Sequence, residues 1–84
     1  MANVVIYTTT ICPYCVRAKM LLQRKGAAYE EINVSGDSAA REALVARTRQ
    51  RTVPQIFING EHIGGCDDLY ALDRAGELDA KLSA

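Results

Sequence analysis

The chain has no surplus charge of either sign: ten lysines and arginines balance ten aspartates and glutamates. Nothing in that total points to nucleic acid or an acidic membrane surface as partner. No apolar run approaches the roughly 18 residues of a membrane span. The opening Met1-Ala2-Asn3-Val4 has neither the basic region nor the long apolar stretch of a signal peptide, so a cytoplasmic protein is expected. Linkers, internal repeats and low-complexity segments are missing too. Cysteine is scarce: three residues, two of them three apart, cannot make a structural disulfide framework. In a reducing compartment such a pair is more often catalytic or metal-binding. What is present is a chain of 84 residues, 49% apolar, ample for one core and too rich for disorder. One domain over residues 1–84 is expected, just above the size at which cores need staples.

The informative tetrad is Cys12-Pro13-Tyr14-Cys15. It follows the apolar run Val4-Val5-Ile6-Tyr7 and opens a helical pattern from Pro13 to Lys25. Residues three apart on a helix have Cβ atoms ~5–6 Å apart, whereas a disulfide wants them at ~3.5–4.5 Å. Such a pair can bond and unbond with local adjustment only. Unpaired N–H groups and the macrodipole at a helix N-terminus favour a thiolate. Cys-x-x-Cys settings lower the first pKa from ~8.5 to between ~3.5 and ~7.5. Cys12 is therefore expected to be the exposed attacking thiol and Cys15, pointing back into the helix, the resolving one. The competing reading is a zinc half-site. Zinc would need two more ligands, and Cys66 and His62, at a spacing that fits no common site, are all that remains.

The rest of the chain supplies the scaffold. Val4–Tyr7 reads as a short buried strand. Tyr14, Ala18, Leu21 and Leu22 fall on one face of the first helix, which Gly26 ends. Tyr29–Val34 reads as a second strand. After the turn Ser35-Gly36-Asp37-Ser38, Asp37 or Ser38 caps a second helix that turns Ala40, Ala43 and Leu44 inward and fades near Thr48. Gln55–Ile58 and Glu61–Gly64 flank Asn59-Gly60, a strong hairpin signal. A third helix starts near Asp67 or Asp68 and runs through Leu69 and Leu72 to Gly76. Leu78 and Leu82 suggest a last helical turn or two. The order β-α-β-α-β-β-α implies one crossover with parallel first strands, and a mixed four-stranded sheet covered by helices.

Two further stretches carry chemistry. In Thr52-Val53-Pro54, the proline is either a plain strand-start residue or a cis-proline whose preceding backbone pairs with an extended thiol substrate. In Gly64-Gly65-Cys66-Asp67-Asp68, the glycines allow close backbone approach and a helix N-terminus binds carboxylate. Asp67 and Asp68 either take up an ammonium group or simply cap the helix.

These three stretches, in this order, resemble the glutaredoxin family, and most closely its short bacterial dithiol members, over essentially residues 3–82. The resemblance implies an α/β thioredoxin-like fold and glutathione as reducing co-substrate, with no metal. It implies that Cys12 becomes glutathionylated, and that Cys15 resolves mixed disulfides formed with proteins. Glutathione contacts carry over to Tyr14, to Thr52, Val53 and Pro54, and to Gly65, Cys66, Asp67 and Asp68. Arg41, on the second helix, occupies the place of a polar partner for the glycine carboxylate. Two positions depart from the family pattern: Thr9 stands where lysine is common, and Arg49 where glycine is favoured. Arg47, Arg49 and Arg51 could replace the missing cation or be plain solvated residues.

His62, the only histidine, raises the possibility of a Cys–His pair, but its strand position reads as surface. Cys66 is either a modulatory third thiol or a small residue at a helix start. A glutathione-dependent dithiol oxidoreductase is thus expected, acting as a monomer on glutathionylated or disulfide-bonded proteins, with no nucleic acid or membrane partner. The alternatives are a thioredoxin-like donor served by a flavoprotein reductase, and an iron–sulfur carrier with Cys12 as ligand.

Overall fold

In a computed structural model that describes residues 2–84, the elements run β1 (Val4–Thr8), α1 (Pro13–Arg24), β2 (Glu30–Asn33), α2 (Ser38–Thr48), β3 (Gln55–Ile58), β4 (Glu61–Gly64), α3 (Cys66–Arg74) and α4 (Leu78–Ser83). The sheet order is β2-β1-β3-β4. β1 and β2 are parallel; β1 with β3, and β3 with β4, are antiparallel. This is the mixed four-stranded α/β sheet expected from one crossover followed by a hairpin. Asn59 and Gly60 both take positive φ, 52° and 79°, as a two-residue hairpin of this kind requires.

The sheet buries both faces. Val4 and Ile6 of β1 and Ile56 and Ile58 of β3 pack with Ala18, Leu21 and Leu22 of α1, Leu69 of α3 and Leu78 of α4 in one core. On the opposite face, the Tyr7 and Phe57 rings meet edge-on at 5.8 Å. The Arg47 guanidinium of α2 lies 4.3 Å from the centre of the Phe57 ring and donates to Tyr7 Oη at 3.1 Å.

Local details correct four expectations. Tyr14, open between the apolar stripe of α1 and an exposed place between the cysteines, takes the exposed one; Cys15 joins Ala18, Leu21 and Leu22 on the stripe instead. α1 closes at Arg24, so Lys25 becomes its cap and pairs with Asp73 (2.7 Å) and Asp79 (3.0 Å). The hydrogen bonds it donates to Asp73 and then to Asp79 raise the pKa of the ammonium above its usual value. Ala43 is exposed, because α2 meets the sheet along Leu44 and Thr48 one turn apart. α3 begins at Cys66, a residue or two early, because Gly65 is the cap. α3 likewise closes at Arg74, two residues before Gly76, and the remaining boundaries agree with expectation to within one residue.

Candidate active site

Every candidate residue but one gathers where α1, the loop before β3 and α3 converge. The strand β1 ends at Thr8 and the chain turns through Thr9–Ile11 into α1. Pro13 sits in the first turn, where its missing N–H costs nothing. Cys12 is the extended N-cap of α1, and its sulfur accepts the Cys15 N–H at 3.1 Å. The two cysteines are joined as a disulfide, with Cα atoms 5.2 Å apart. Cys12 is half-buried, whereas Cys15 is 1% exposed. An incoming thiol or disulfide therefore meets Cys12 first, the order the sequence implied.

The Val53–Pro54 peptide is cis. Cys12 Sγ lies 3.8 Å from the Val53 carbonyl oxygen, so the dithiol and the proline loop share one edge. Beyond that edge opens a groove of about 260 Å³, lined by Tyr14, Gln50, Thr52, Val53, Pro54, Gly65, Cys66, Asp67 and Asp68. A Cβ on Gly65 would sit 3.5 Å from the Pro54 carbonyl, so the N-terminus of α3 lies at van der Waals distance from the loop. Tyr14, 55% exposed, forms the outer wall. Arg17 lies over both the Tyr14 and Tyr70 rings, 5.9 and 5.5 Å from their centres, and so steadies that wall.

The two aspartates separate. Asp68 Oδ2 accepts the Gly65 N–H at 2.9 Å, tying the first turn back to its cap residue, so it is committed to holding α3. Asp67 is exposed and makes no hydrogen bond or ion pair within the described residues. Cys66 is a free, buried thiol. Burial pushes its pKa up, Asp67 adds to that, and Arg17 partly offsets it.

Arg41 stands apart. It does not line the groove; its guanidinium donates to the Arg51 carbonyl at 3.3 Å and supports the loop from behind. Arg49 explains the glycine preference noted above, since it caps α2 in the left-handed region at φ 62°. Among the described residues no group of three or more His, Cys, Asp or Glu side chains could hold a metal ion. His62 is engaged elsewhere: its Nε2 lies 2.7 Å from Gln55 Oε1.

Sequence reasoning missed Gln50 and Gln55. Gln55 opens a strand and looks like a surface residue, yet it is fully buried. Gln50 follows a left-handed turn that no local pattern announces.

The geometry has counterparts. The family model described as Glutaredoxin matches residues 4–63. Glutaredoxin 3 of Escherichia coli (strain K12) is 57% identical over 82 residues, covering 98% of this chain and 99% of that protein. A glutaredoxin of Pseudomonas aeruginosa is 58% identical over 84 residues, covering all of both chains. The crystal structure of a buckwheat glutaredoxin–glutathione complex superposes with a TM-score of 0.93 at 40% identity, covering 98% of this chain and 77% of that one.

Proposed function

Since the chain belongs to the glutaredoxin family, resembling its glutaredoxin-3 members, we propose the cycle by which it acts as a glutathione-dependent thiol–disulfide oxidoreductase. The observation that carries the cycle is the half-buried Cys12 at the rim of the groove, with Cys15 sealed beneath it. The Cys12 thiolate, stabilised by the Cys15 N–H and the N-terminus of α1, attacks the glutathionyl sulfur of a mixed disulfide. A Cys12–glutathione bond forms and the bond to the substrate sulfur breaks. The electron pair leaves with the substrate thiolate, which takes a proton from water. A second glutathione thiolate then attacks the bound glutathionyl sulfur, releasing glutathione disulfide and restoring the Cys12 thiolate. With a protein disulfide, Cys15 attacks Cys12 Sγ in the mixed disulfide and expels the substrate as a dithiol. The Cys12–Cys15 disulfide that remains is reduced by two glutathiones.

The groove receives the glutathionyl group. Backbone groups of Thr52 and Val53 pair with its cysteinyl unit in the manner of an added strand. Pro54 sets the turn. Gly65 lets the backbone approach closely, the free N–H groups of Cys66 and Asp67 take its α-carboxylate, the Asp67 side chain takes the ammonium, and Asp68, holding the Gly65 N–H, keeps the helix end in place. Tyr14 covers the ligand, and Arg41 adds positive charge behind the loop. Residues 1–84 act as one domain and as a monomer, meeting glutathionylated or disulfide-bonded proteins transiently. No helix among the described residues is long and apolar enough to cross a membrane; the site of action proposed is the cytoplasm, where glutathione is reducing.

Reduction of a glutathionylated peptide with glutathione as sole reductant tests the cycle. Cys12→Ser loses all turnover. Cys15→Ser keeps turnover of the glutathionylated peptide and loses reduction of a protein disulfide. Turnover in Cys12→Ser would overturn the assignment.

A further inference from the structure

Gln55 is the one amide wholly shut inside the protein beside the groove, and each of its polar atoms is committed. The orientation of its amide follows by elimination. A backbone carbonyl can only accept, so the Gln55 atom 3.0 Å from the Thr52 oxygen is the nitrogen. The same nitrogen lies 2.9 Å from the Gln50 side chain, which must therefore present its oxygen. Gln55 Oε1 then faces His62 Nε2 at 2.7 Å, and that ring nitrogen must carry the proton. A shared contact with Thr52 Oγ1 at 3.3 Å completes the set. With the Gln50 oxygen consumed, its two N–H donors are the part left over, in a residue that lines the groove. No hydrogen bond within the described residues uses them.

We propose that Gln50 is a specificity residue that donates to a carboxylate of the glutathionyl group, and that Gln55, held by His62, is the positioning residue that turns the Gln50 amide nitrogen outward. Were Gln55 to present an acceptor instead, Gln50 would rotate its amide and turn its oxygen to the groove, repelling a carboxylate. The proposal rests on the glutathione reading of the groove.

The test compares reduced protein and variants, all carrying Cys15→Ser so that the mixed disulfide on Cys12 is not resolved, in their reaction with glutathione disulfide and with cystamine, which carries no carboxylate. In both reactions the Cys12 thiolate attacks one sulfur and the other leaves as a thiolate; rapid quenching and mass detection of modified Cys12 give the rate constants. The readout is the ratio of the two constants, which a general loss of folding does not move. Gln50→Ala lowers the ratio about tenfold, the weight of one hydrogen bond to a charged acceptor. Gln55→Glu lowers it at least as much, whereas Gln55→Glu added to Gln50→Ala lowers it no further, because Gln55 acts through Gln50. Repeating the series with glutathione ethyl ester disulfide identifies the carboxylate. Loss of the Gln50 dependence assigns it to the glycine end, and its retention to the α-carboxylate. A Gln50→Ala ratio equal to that of Cys15→Ser alone overturns the inference while leaving the groove intact. Cys15→Ser alone without preference for glutathione disulfide overturns the groove reading itself.

Discussion

Asp67 and Asp68 are chemically identical neighbours on one helical turn, and the structure gives them different work. Asp68 holds the Gly65 N–H at 2.9 Å, so Asp68→Ala removes the side-chain hydrogen bond that fixes the start of α3. Such losses cost about 1 kcal/mol, within a range of about 0.5–2. In a domain of this size about 1 kcal/mol corresponds to a fall in melting temperature of about 4–8 °C. Asp67→Ala loses only a screened interaction with the helix dipole, about 0.3 kcal/mol in so exposed a place, or about 1–2 °C. For binding, the order reverses. An exposed carboxylate–ammonium pair contributes about 0.2–1 kcal/mol, so Asp67→Ala slows the reaction with glutathione disulfide about 1.5- to 5-fold. It has no such effect with a des-amino analogue. Calorimetric melting of the reduced proteins, alongside quenched-flow rates for the two disulfides, separates the roles. A melting temperature for Asp68→Ala within about 1 °C of wild type, or an Asp67→Ala effect that persists with the des-amino analogue, would refute the division.

Three other outcomes follow from local chemistry. Glu31 accepts the buried Thr8 hydroxyl at 2.7 Å and pairs with Lys19 at 3.0 Å, and these contacts, the hydroxyl first, lower its pKa. The stability this adds is present above the unfolded carboxylate pKa of ~4.3 and fades as pH falls through the lower folded value. Glu31→Gln should therefore cost about 0.5–1 kcal/mol at pH 7, given that the carboxylate is a third exposed, and almost nothing near pH 2 in urea melts. Arg49→Gly relieves a left-handed cap worth about 1–2 kcal/mol against a chain-entropy cost of about 0.5–1, so melting rises by a few degrees. In the reduced protein, Cys12 alkylates rapidly near neutral pH. Cys66, buried and with its pKa pushed up, stays unreacted until the chain is unfolded, which peptide mass mapping after iodoacetamide pulses reads directly.

Much of this was legible in the chain because its local signals agree with one another. A proline one residue past Cys12, glycines at helix ends and Asn59-Gly60 between apolar runs each have a single physical meaning, and each element appears where they put it. The dithiol, the proline loop and the Gly65–Asp68 turn could be named because each is contiguous. What sequence could not supply is what lies between them in space. That Tyr14 leaves the apolar stripe while Cys15 enters it depends on which side of α1 meets the sheet, and the 3.6-residue period accommodates both. That Ala43 faces water reflects an α2 contact narrowed to one residue per turn. Gln55 is the clearest case: a polar residue buried at the start of a strand looks like a surface position until His62, Gln50 and Thr52 arrive from elsewhere to satisfy it.

The contact between Cys12 and the Val53 carbonyl also has a history in time. The two residues lie 41 apart in sequence, and β1 finds its antiparallel neighbour only when β3 exists. At about 5–20 residues per second, a ribosome delivers Val53 roughly two to eight seconds after Cys12. Until Val53 and the N-terminus of α3 are made, the dithiol has no groove beside it. The nascent chain thus offers the dithiol on its helix end without the groove that selects among disulfides. Selectivity toward one class of disulfide arrives late in synthesis, once β3 has paired with β1 and the N-terminus of α3 closes the groove.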